Sequence, residues 1–242
     1  MSYIFREHIK QSLAVIAFLI TLTACTSESY DAGDGPNSYL TADLVLLHTS
    51  QDKSVRSALL DDGTTLQFSN PFAQDWLTRP DSVYRALLYY DKTVAASDAA
   101  ASNPMATSIV RARSVRPVSV LRPIEAEDME TLRTDPVGFE SLWMSKNGSY
   151  INLSLLLKSG KAEADDALHA LGIVSHGTTT DADRRRTLHL TLYHDQGGVP
   201  AYYTVQQYVS IPTQLLEEAD TIELTLNTYN GKKVVKVAVS NL

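Results

Sequence analysis

Arg111 and Arg113 lie two residues apart in Ile109-Val110-Arg111-Ala112-Arg113, so on one extended strand their side chains point the same way. Together with Arg85 from a neighbouring strand they would make a basic face suited to an anionic glycan. The plainer reading is a charged edge strand that deters pairing with another sheet. The other reactive residue types form no such pattern. Nucleophilic catalysis needs an activated Ser or Cys near a His that a carboxylate orients, and no Gly-x-Ser-x-Gly elbow occurs. His48, His169, His176, His189 and His194 have none of the spacing of a His-Glu-x-x-His metal site. His189 and His194 fall five apart on one strand, which sends them to opposite faces and reads them as surface or strand-end histidines. No glycine-rich phosphate cradle follows a strand. The residues therefore nominate no catalytic group, no metal ligand and no cofactor site, and the expectation is a chain that is not an enzyme.

The one thiol in 242 residues is Cys25, which ends Leu22-Thr23-Ala24-Cys25. Upstream come Arg6, His8 and Lys10 and then an almost wholly apolar run from Leu13 to Leu22. That is the order of a secretory signal, with a core shorter than the ~20 residues a spanning helix needs. With small residues directly before the cysteine, the stretch resembles the lipobox of bacterial lipoproteins. The resemblance implies cleavage before Cys25, a diacylglyceryl group on its sulfur and an acylated new amine, palmitate being such a chain. Each acyl chain contributes about 0.8 kcal/mol per buried CH₂, and two or more hold firmly. Used in this way, Cys25 leaves no thiol for a disulfide, a nucleophile or a metal site. Thr26, rather than Asp, follows it, which resembles a sorting signal for the outer membrane. Ser27 to Asn37 is polar, with Gly33, Gly35 and Pro36 among Glu28, Asp31 and Asp34, and reads as a flexible acidic tether. Acids after the cysteine also resemble surface-export signals of Bacteroidetes lipoproteins, so periplasmic and surface-facing placements both stand.

Removing the signal leaves roughly 218 residues, enough for one large or two small domains. With 44% hydrophobic and 20% charged residues the composition is that of a globular chain. The net charge of −7 becomes one unit more negative when Arg6, Lys10 and Glu7 are lost, and a negative protein repels phosphate backbones, so no nucleic-acid partner is expected. The partners expected are a membrane, through the lipid, and an envelope protein or glycan.

The elements that must position the arginines are strands. Ser38 to Leu47 alternates, with Leu40, Ala42, Leu44 and Leu46 on one face. Asp62-Gly63 predicts a two-residue type I′ turn that sets Leu60 opposite Thr65 and Leu59 opposite Leu66. Further strands are predicted over Ser82 to Asp91 and, interrupted by Pro117, over Thr107 to Leu121. Pro71 to Leu77 reads as a turn and the Ala-rich stretch 93–105 as a loop. Five short strands without a long helix suggest an OB-fold barrel over 38–123, following a signal at 1–24 and a tether at 25–37. Acidic, proline-bounded residues 124–136 read as a linker helix or turn.

Residues 137–242 then read as an antiparallel β-sandwich. A turn at Asn147-Gly148 pairs Met144 with Ile151 and Leu142 with Leu153. A turn at Asn230-Gly231 pairs Leu226 with Val235, Leu224 with Val237 and Ile222 with Val239. Between them lie strands over Ala167 to Val174, Arg186 to His194 and Tyr202 to Ile211. Leu188, Leu190 and Leu192 turn inward on the middle one. Lys161 to Asp166 and Gly177 to Arg185 read as loops, and Pro212 to Ala219 as a short helical turn. Asp81-Ser82-Val83 and Asp220-Thr221-Ile222 resemble the short acceptor pattern of Bacteroidetes O-glycosylation.

Asp61-Asp62-Gly63-Thr64-Thr65-Leu66, Asp135-Pro136 before Leu142-Trp143-Met144, and Tyr150-Ile151-Asn152-Leu153 occur in the order and spacing of the NigD-like lipoproteins of Bacteroidetes, which the chain resembles over nearly its whole length. The resemblance implies an OB domain followed by a β-sandwich and a bacteriocin-associated, immunity-type role, with no catalytic residues to carry over. The Ala-rich loop 95–106 and the Arg-rich stretch Asp181 to Arg186 depart from the family pattern. An envelope glycan-binding protein, using Arg85, Arg111 and Arg113, is the alternative; an enzyme of unrecognised type is the third reading.

Overall fold

The structure is a computed structural model that describes residues 40–92, 108–161 and 168–239. The expectations for the signal, Cys25, the tether and the loops at 93–105 and 162–166 lie outside those residues. Five strands, β1 (Leu40–Thr49), β2 (Val55–Leu60), β3 (Thr65–Phe72), β4 (Val83–Lys92) and β5 (Ser108–Pro117), close into a barrel in the order β1-β2-β3-β5-β4. β3 and β5 run parallel, and the barrel is the OB-like one that the strand pattern predicts. Val45, Leu47, Ala58, Leu66, Phe68, Ala86, Leu88 and Val110 fill it.

Two barrel strands are covered on both sides. In β1, Val45 and Leu47 enter the barrel, whereas Leu44 packs outside it with Leu87, Val118 and the partly buried Tyr89, Trp143 and Tyr208. The face shared by Leu40, Ala42, Leu44 and Leu46 is therefore not the barrel interior. Alternation separates the two faces of a strand, but where both are apolar it cannot tell which is the core. In β4 the four residues from Arg85 to Leu88 are all buried, and alternate ones point away from the barrel.

The β2–β3 turn also differs from expectation. Leu59 pairs with Thr65 and Ala58 with Leu66, a shift of one residue. Leu60 donates to the Thr64 carbonyl at 2.9 Å, which closes a three-residue loop of Asp61, Asp62 and Gly63. A type I′ turn needs positive φ at both central residues; here Gly63 alone takes it, at 87°, and the Asp62 carboxylate accepts the Thr64 N–H at 2.9 Å.

The rest of the chain makes two sheets. One has four strands in the order β6 (Ser119–Val120), β12 (Tyr203–Pro212), β9 (Tyr150–Ser159), β8 (Gly138–Met144). The other has five, in the order β14 (Gly231–Ala238), β13 (Thr221–Thr228), β11 (Arg186–Asp195), β10 (Ala170–Thr180), β7 (Pro123–Glu125). Ile151, Leu153, Leu155, Ile173, Leu188, Leu190, Leu192, Val209, Ile211, Ile222, Leu224 and Leu226 fill the space between them. This is the predicted β-sandwich, so the fold class is an OB-like barrel followed by a sandwich.

Several local expectations are corrected. Residues 119–120, expected to end the last barrel strand, already belong to the sandwich as β6, parallel to β12. The stretch 124–136, expected as a linker helix or turn, does hold a 3₁₀ turn at Ala126–Asp128, but it opens with β7, which adds a parallel edge strand to β10. Gly177 to Thr180 is strand rather than loop, reached through a bulge between Ser175 and Thr178 where Gly177 has φ 77°. The pairs at 144–151 and 142–153 stand as expected, although Ser145 and Tyr150 close a four-residue loop. In the last hairpin Leu224 pairs with Val235 and Ile222 with Val237, two residues from the expected partners. A slip of two keeps every side chain on its own face, and it sets Glu223 opposite Lys236, whose ammonium lies 2.9 Å from the carboxylate.

Candidate functional site

The site forms where the barrel meets the sandwich; residues 41–242 make one compact unit, so the two share a seam. Arg85 sits at its centre with 4% of its surface exposed. Its guanidinium donates to both carboxylate oxygens of Asp61 at 2.5 and 2.7 Å, to Asn152 Oδ1 at 3.0 Å and to Ser210 Oγ at 3.1 Å. Ser210 Oγ donates in turn to Asn152 Oδ1 at 2.7 Å, and the Asn152 amide to Asp61 at 3.1 Å. The guanidinium also lies over the Tyr150 ring, 4.3 Å from its centroid. Two members are from the barrel and three from the sandwich. A buried charge of this kind is tolerated only when it is paired and its donors are used, and both conditions are met here.

Local structure explains why these residues converge. The one-residue change of register in the β2–β3 turn places Asp61 at the loop's first position, where its carbonyl also accepts the Asn147 N–H of the facing β8–β9 turn at 2.8 Å. β9 lies between β12 and β8 in its sheet: Ile151, Leu153 and Leu155 point into the sandwich, and Asn152 and Ser154 point towards the barrel. Asn152 and Ser210 have no exposed surface, so this polar sheet face, which water would cover in a lone sandwich, is covered by β4 and the β2–β3 turn.

Beside this weld the seam opens into a cleft of about 430 Å³. Leu44, Leu87 and Tyr89 form its barrel wall, and Trp143 and Tyr208, edge to face at 6.4 Å, its sandwich wall. The exposed Glu140 also lines the cleft and accepts from Ser154 Oγ at 2.6 Å and from the Gln206 amide at 2.5 Å. Asp43 accepts the Tyr90 hydroxyl at 2.8 Å; burial, and then that carboxylate, push the Tyr90 phenol far above its ordinary value. Such a cleft can bind and orient a ligand through apolar surface, amide and carboxylate groups.

The expected basic face is not assembled. Arg85 is sealed inside the seam, and Arg113 is ion-paired with Asp91. Arg111 is exposed, opposite Asp91 in the β4–β5 ladder. The orientation of Arg111 and Arg113 follows from period two, but Arg85 needs a long-range partner that spacing cannot reveal. Cys25 lies outside the described residues. Of the acceptor-like triplets, Ser82 donates to the Pro80 carbonyl at 2.8 Å, and Thr221 pairs with Ala238 within the sheet.

The histidines are also only partly as expected. His189 is a half-exposed strand residue, 3.2 Å from Glu223 Oε1. His194 is instead buried at 1% exposure, with Nδ1 2.9 Å from the Asp135 carbonyl and Nε2 3.0 Å from Nδ1 of His169. A carbonyl can only accept, so neutral His194 carries its proton on Nδ1 and takes the proton of His169 on Nε2. Among the described residues no group of three or more His, Cys, Asp and Glu is placed to hold a metal ion.

Sequence reasoning missed Asn152, Ser210, Glu140 and Gln206. Two of them carry a signal in hindsight: Asn152 interrupts Tyr150-Ile151-Asn152-Leu153, and Ser210 interrupts Val209-Ser210-Ile211, each a polar residue inside an apolar strand.

The fold defines a class of all-β proteins in which an OB-like barrel is followed by a β-sandwich, here joined through the buried Arg85 to Asp61 pair. Within it, this chain belongs to the NigD-like family: residues 120–239 match the family model of the NigD-like C-terminal β-sandwich domain. Solved structures share the fold at low identity. A NigD-like immunity protein from Bacteroides caccae is 21% identical with a TM-score of 0.60, covering 81% of this chain and 91% of that one. A protein of unknown function from Bacteroides vulgatus is 16% identical with a TM-score of 0.58, covering 83% and 92%. A candidate lipoprotein from Bacteroides fragilis is 14% identical with a TM-score of 0.57, covering 84% and 99%. No curated protein sequence matches the chain.

Proposed function

We propose that this chain is a lipid-anchored protein of the cell envelope, held at the outer membrane through Cys25, that protects by binding and carries out no chemistry of its own. The observation that carries the reading is the seam cleft, a preformed concave surface of about 430 Å³ on a body made rigid by the Arg85 network. The name of the Bacteroides caccae neighbour supports immunity as the form of protection, and that of the Bacteroides fragilis neighbour supports a lipoprotein. Leu22-Thr23-Ala24-Cys25 supplies the attachment chemistry in this chain itself. The anionic-glycan reading loses its footing, since two of its three arginines, Arg85 and Arg113, are bonded to carboxylates, and only Arg111 meets none among the described residues.

The test is a strain lacking the gene, grown beside a bacteriocin producer and complemented with the full chain or with Cys25→Ser. The full chain should restore survival and incorporate labelled palmitate. Cys25→Ser should lose the label, leave the membrane fraction and protect poorly. Survival that is indifferent to the gene would overturn the protective role, and palmitate incorporation that persists in Cys25→Ser would overturn the anchor.

A further inference from the structure

β12 is paired along its whole length with β9, from Tyr203 opposite Ser159 to Pro212 opposite Tyr150. On its other edge, among the described residues, only Val209 and Ser210 meet a strand, β6. Leu121 N–H donates to the Ser210 carbonyl at 2.9 Å, so the Ser210 backbone faces that edge. At the two-residue period of a strand the backbones of Tyr208, Gln206 and Thr204 face it too. The Tyr208 carbonyl accepts the side-chain amide of Gln207 at 3.2 Å. The backbone groups of Thr204 and Gln206 on this edge have no partner among the described residues.

The edge is not a flat surface. Pro117 and Val118 carry the chain from the barrel into β6, and between Arg116, Pro117 and Val118 on one side and residues 204–208 on the other lies a trench of about 370 Å³. It runs into the seam cleft, with which it shares Leu87, Tyr89, Gln206 and Tyr208. The charges there are unequal. Asp61 is neutralised by Arg85, and Asp62 faces Lys146 at 3.8 Å. Asp43 and Glu140 are met only by the neutral donors Tyr90, Ser154 and Gln206 among the described residues. At the trench end stands one cation, Arg116.

We propose that the free edge of β12 from Thr204 to Tyr208 is a docking site for an extended, basic peptide segment of a partner protein, which adds as a strand and directs a Lys or Arg side chain towards Glu140. Unpaired backbone groups select an extended chain, since only a strand can satisfy donors and acceptors at this spacing. A residue beside Gln206 has its Cβ about 5 Å away, and Gln206 already touches Glu140, so a lysine stem reaches the carboxylate. The inference rests on the protective-binding reading and names the chemistry of the partner.

The test is selection of a phage-displayed random dodecapeptide library on the full chain, with recovered peptides resynthesised and titrated. Lys- and Arg-rich sequences are expected. Methylating alternate backbone amides of such a peptide should weaken binding more than about tenfold, and Glu140→Gln should weaken it about three- to tenfold. Gln206→Pro removes an N–H that faces the free edge rather than β9, together with the side-chain bonds to Glu140 and Ser154 that Gln206→Ala also removes; it should abolish binding and lower the melting temperature no further than Gln206→Ala does. Recovery of peptides without basic residues, affinity indifferent to amide methylation, or recovery of no peptide would each overturn the proposal. If Gln206→Pro fails to fold, the methylated peptides pose the same question to the unaltered chain. Full protection of cells by a folded Glu140→Gln, Gln206→Pro double variant would remove the docking site and leave the protective role standing. Peptide binding by a chain that protects no cell would do the reverse.

Discussion

His169 and His194 are stacked at 5.2 Å between ring centroids, and the buried Nε2 of His169 has no hydrogen-bond partner among the described residues. Burial, and after it the charge of His194, holds His169 below the ordinary histidine value. As pH falls the unfolded chain, with histidines near 6.5, binds protons that the folded chain takes up only at lower pH. The stability this pair allows is therefore present in full above about pH 6.5 and is lost as pH falls through the lowered folded value. Asp52, held down by Ser54, Asp62, by Thr64, and Glu223, by Lys236 and then His189, also have lowered values. As carboxylates they withdraw stability only at about pH 4 and below, so the two windows separate. Urea midpoints should fall between pH 7.5 and 5.5. In His169→Leu the midpoint should be lower throughout, because His194 Nε2 loses its donor, and its decline with pH should be shallower. An undiminished slope would show that other groups set it.

At the scale of elements, turns decide which faces meet. Gly63, at φ 87°, has nothing within 4 Å of the place a Cβ would occupy, so Gly63→Ala meets only backbone strain, about 1 kcal/mol. Gly138 lies opposite Leu156 in the β8–β9 ladder, and a Cβ there would fall 2.7 Å from the Leu156 Cβ, which cannot swing aside. Gly138→Ala should lower stability more, by about 1–3 kcal/mol, and chemical denaturation of the two variants should give that order. Equal losses would mean that β8 shifts freely against β9. The difference between these glycines marks what the sequence makes legible. Leu188, Leu190 and Leu192 announce their inward face because the other side of β11 is polar, and Asp62-Gly63 announces a turn. Neither the number of loop residues nor the partner of Arg85 is written locally: Asp61, Asn152 and Ser210 stand 24, 67 and 125 positions away from it. The predicted basic face failed for that reason, and the seam cleft, whose walls come from both halves of the chain, was out of reach of any local pattern.

For the whole molecule the seam determines how the chain unfolds. The barrel and the sandwich each have a hydrophobic core, with a third cluster of Leu44, Leu87 and Val118 against Tyr89, Trp143 and Tyr208 bridging them. The bridge is small, so cooperativity between the two cores depends on the buried Arg85 to Asp61 pair and its Asn152 and Ser210 partners. Removing Arg85 strands the Asp61 carboxylate, 19% exposed, in a mostly buried site and should cost up to about 3 kcal/mol, whereas replacing the pair by apolar residues of similar volume should cost far less. Calorimetry of the unaltered chain is therefore expected to give a single transition whose enthalpy matches the van't Hoff value. In Arg85→Ala the transition should broaden into two, since Asp61 is left unpaired at the seam while both cores remain intact. In Arg85→Met combined with Asp61→Leu the seam is dry and filled, and the single transition should return. Two transitions in the double variant as well would assign the coupling to hydrogen-bond geometry, and one transition in Arg85→Ala would assign it to the bridging cluster alone.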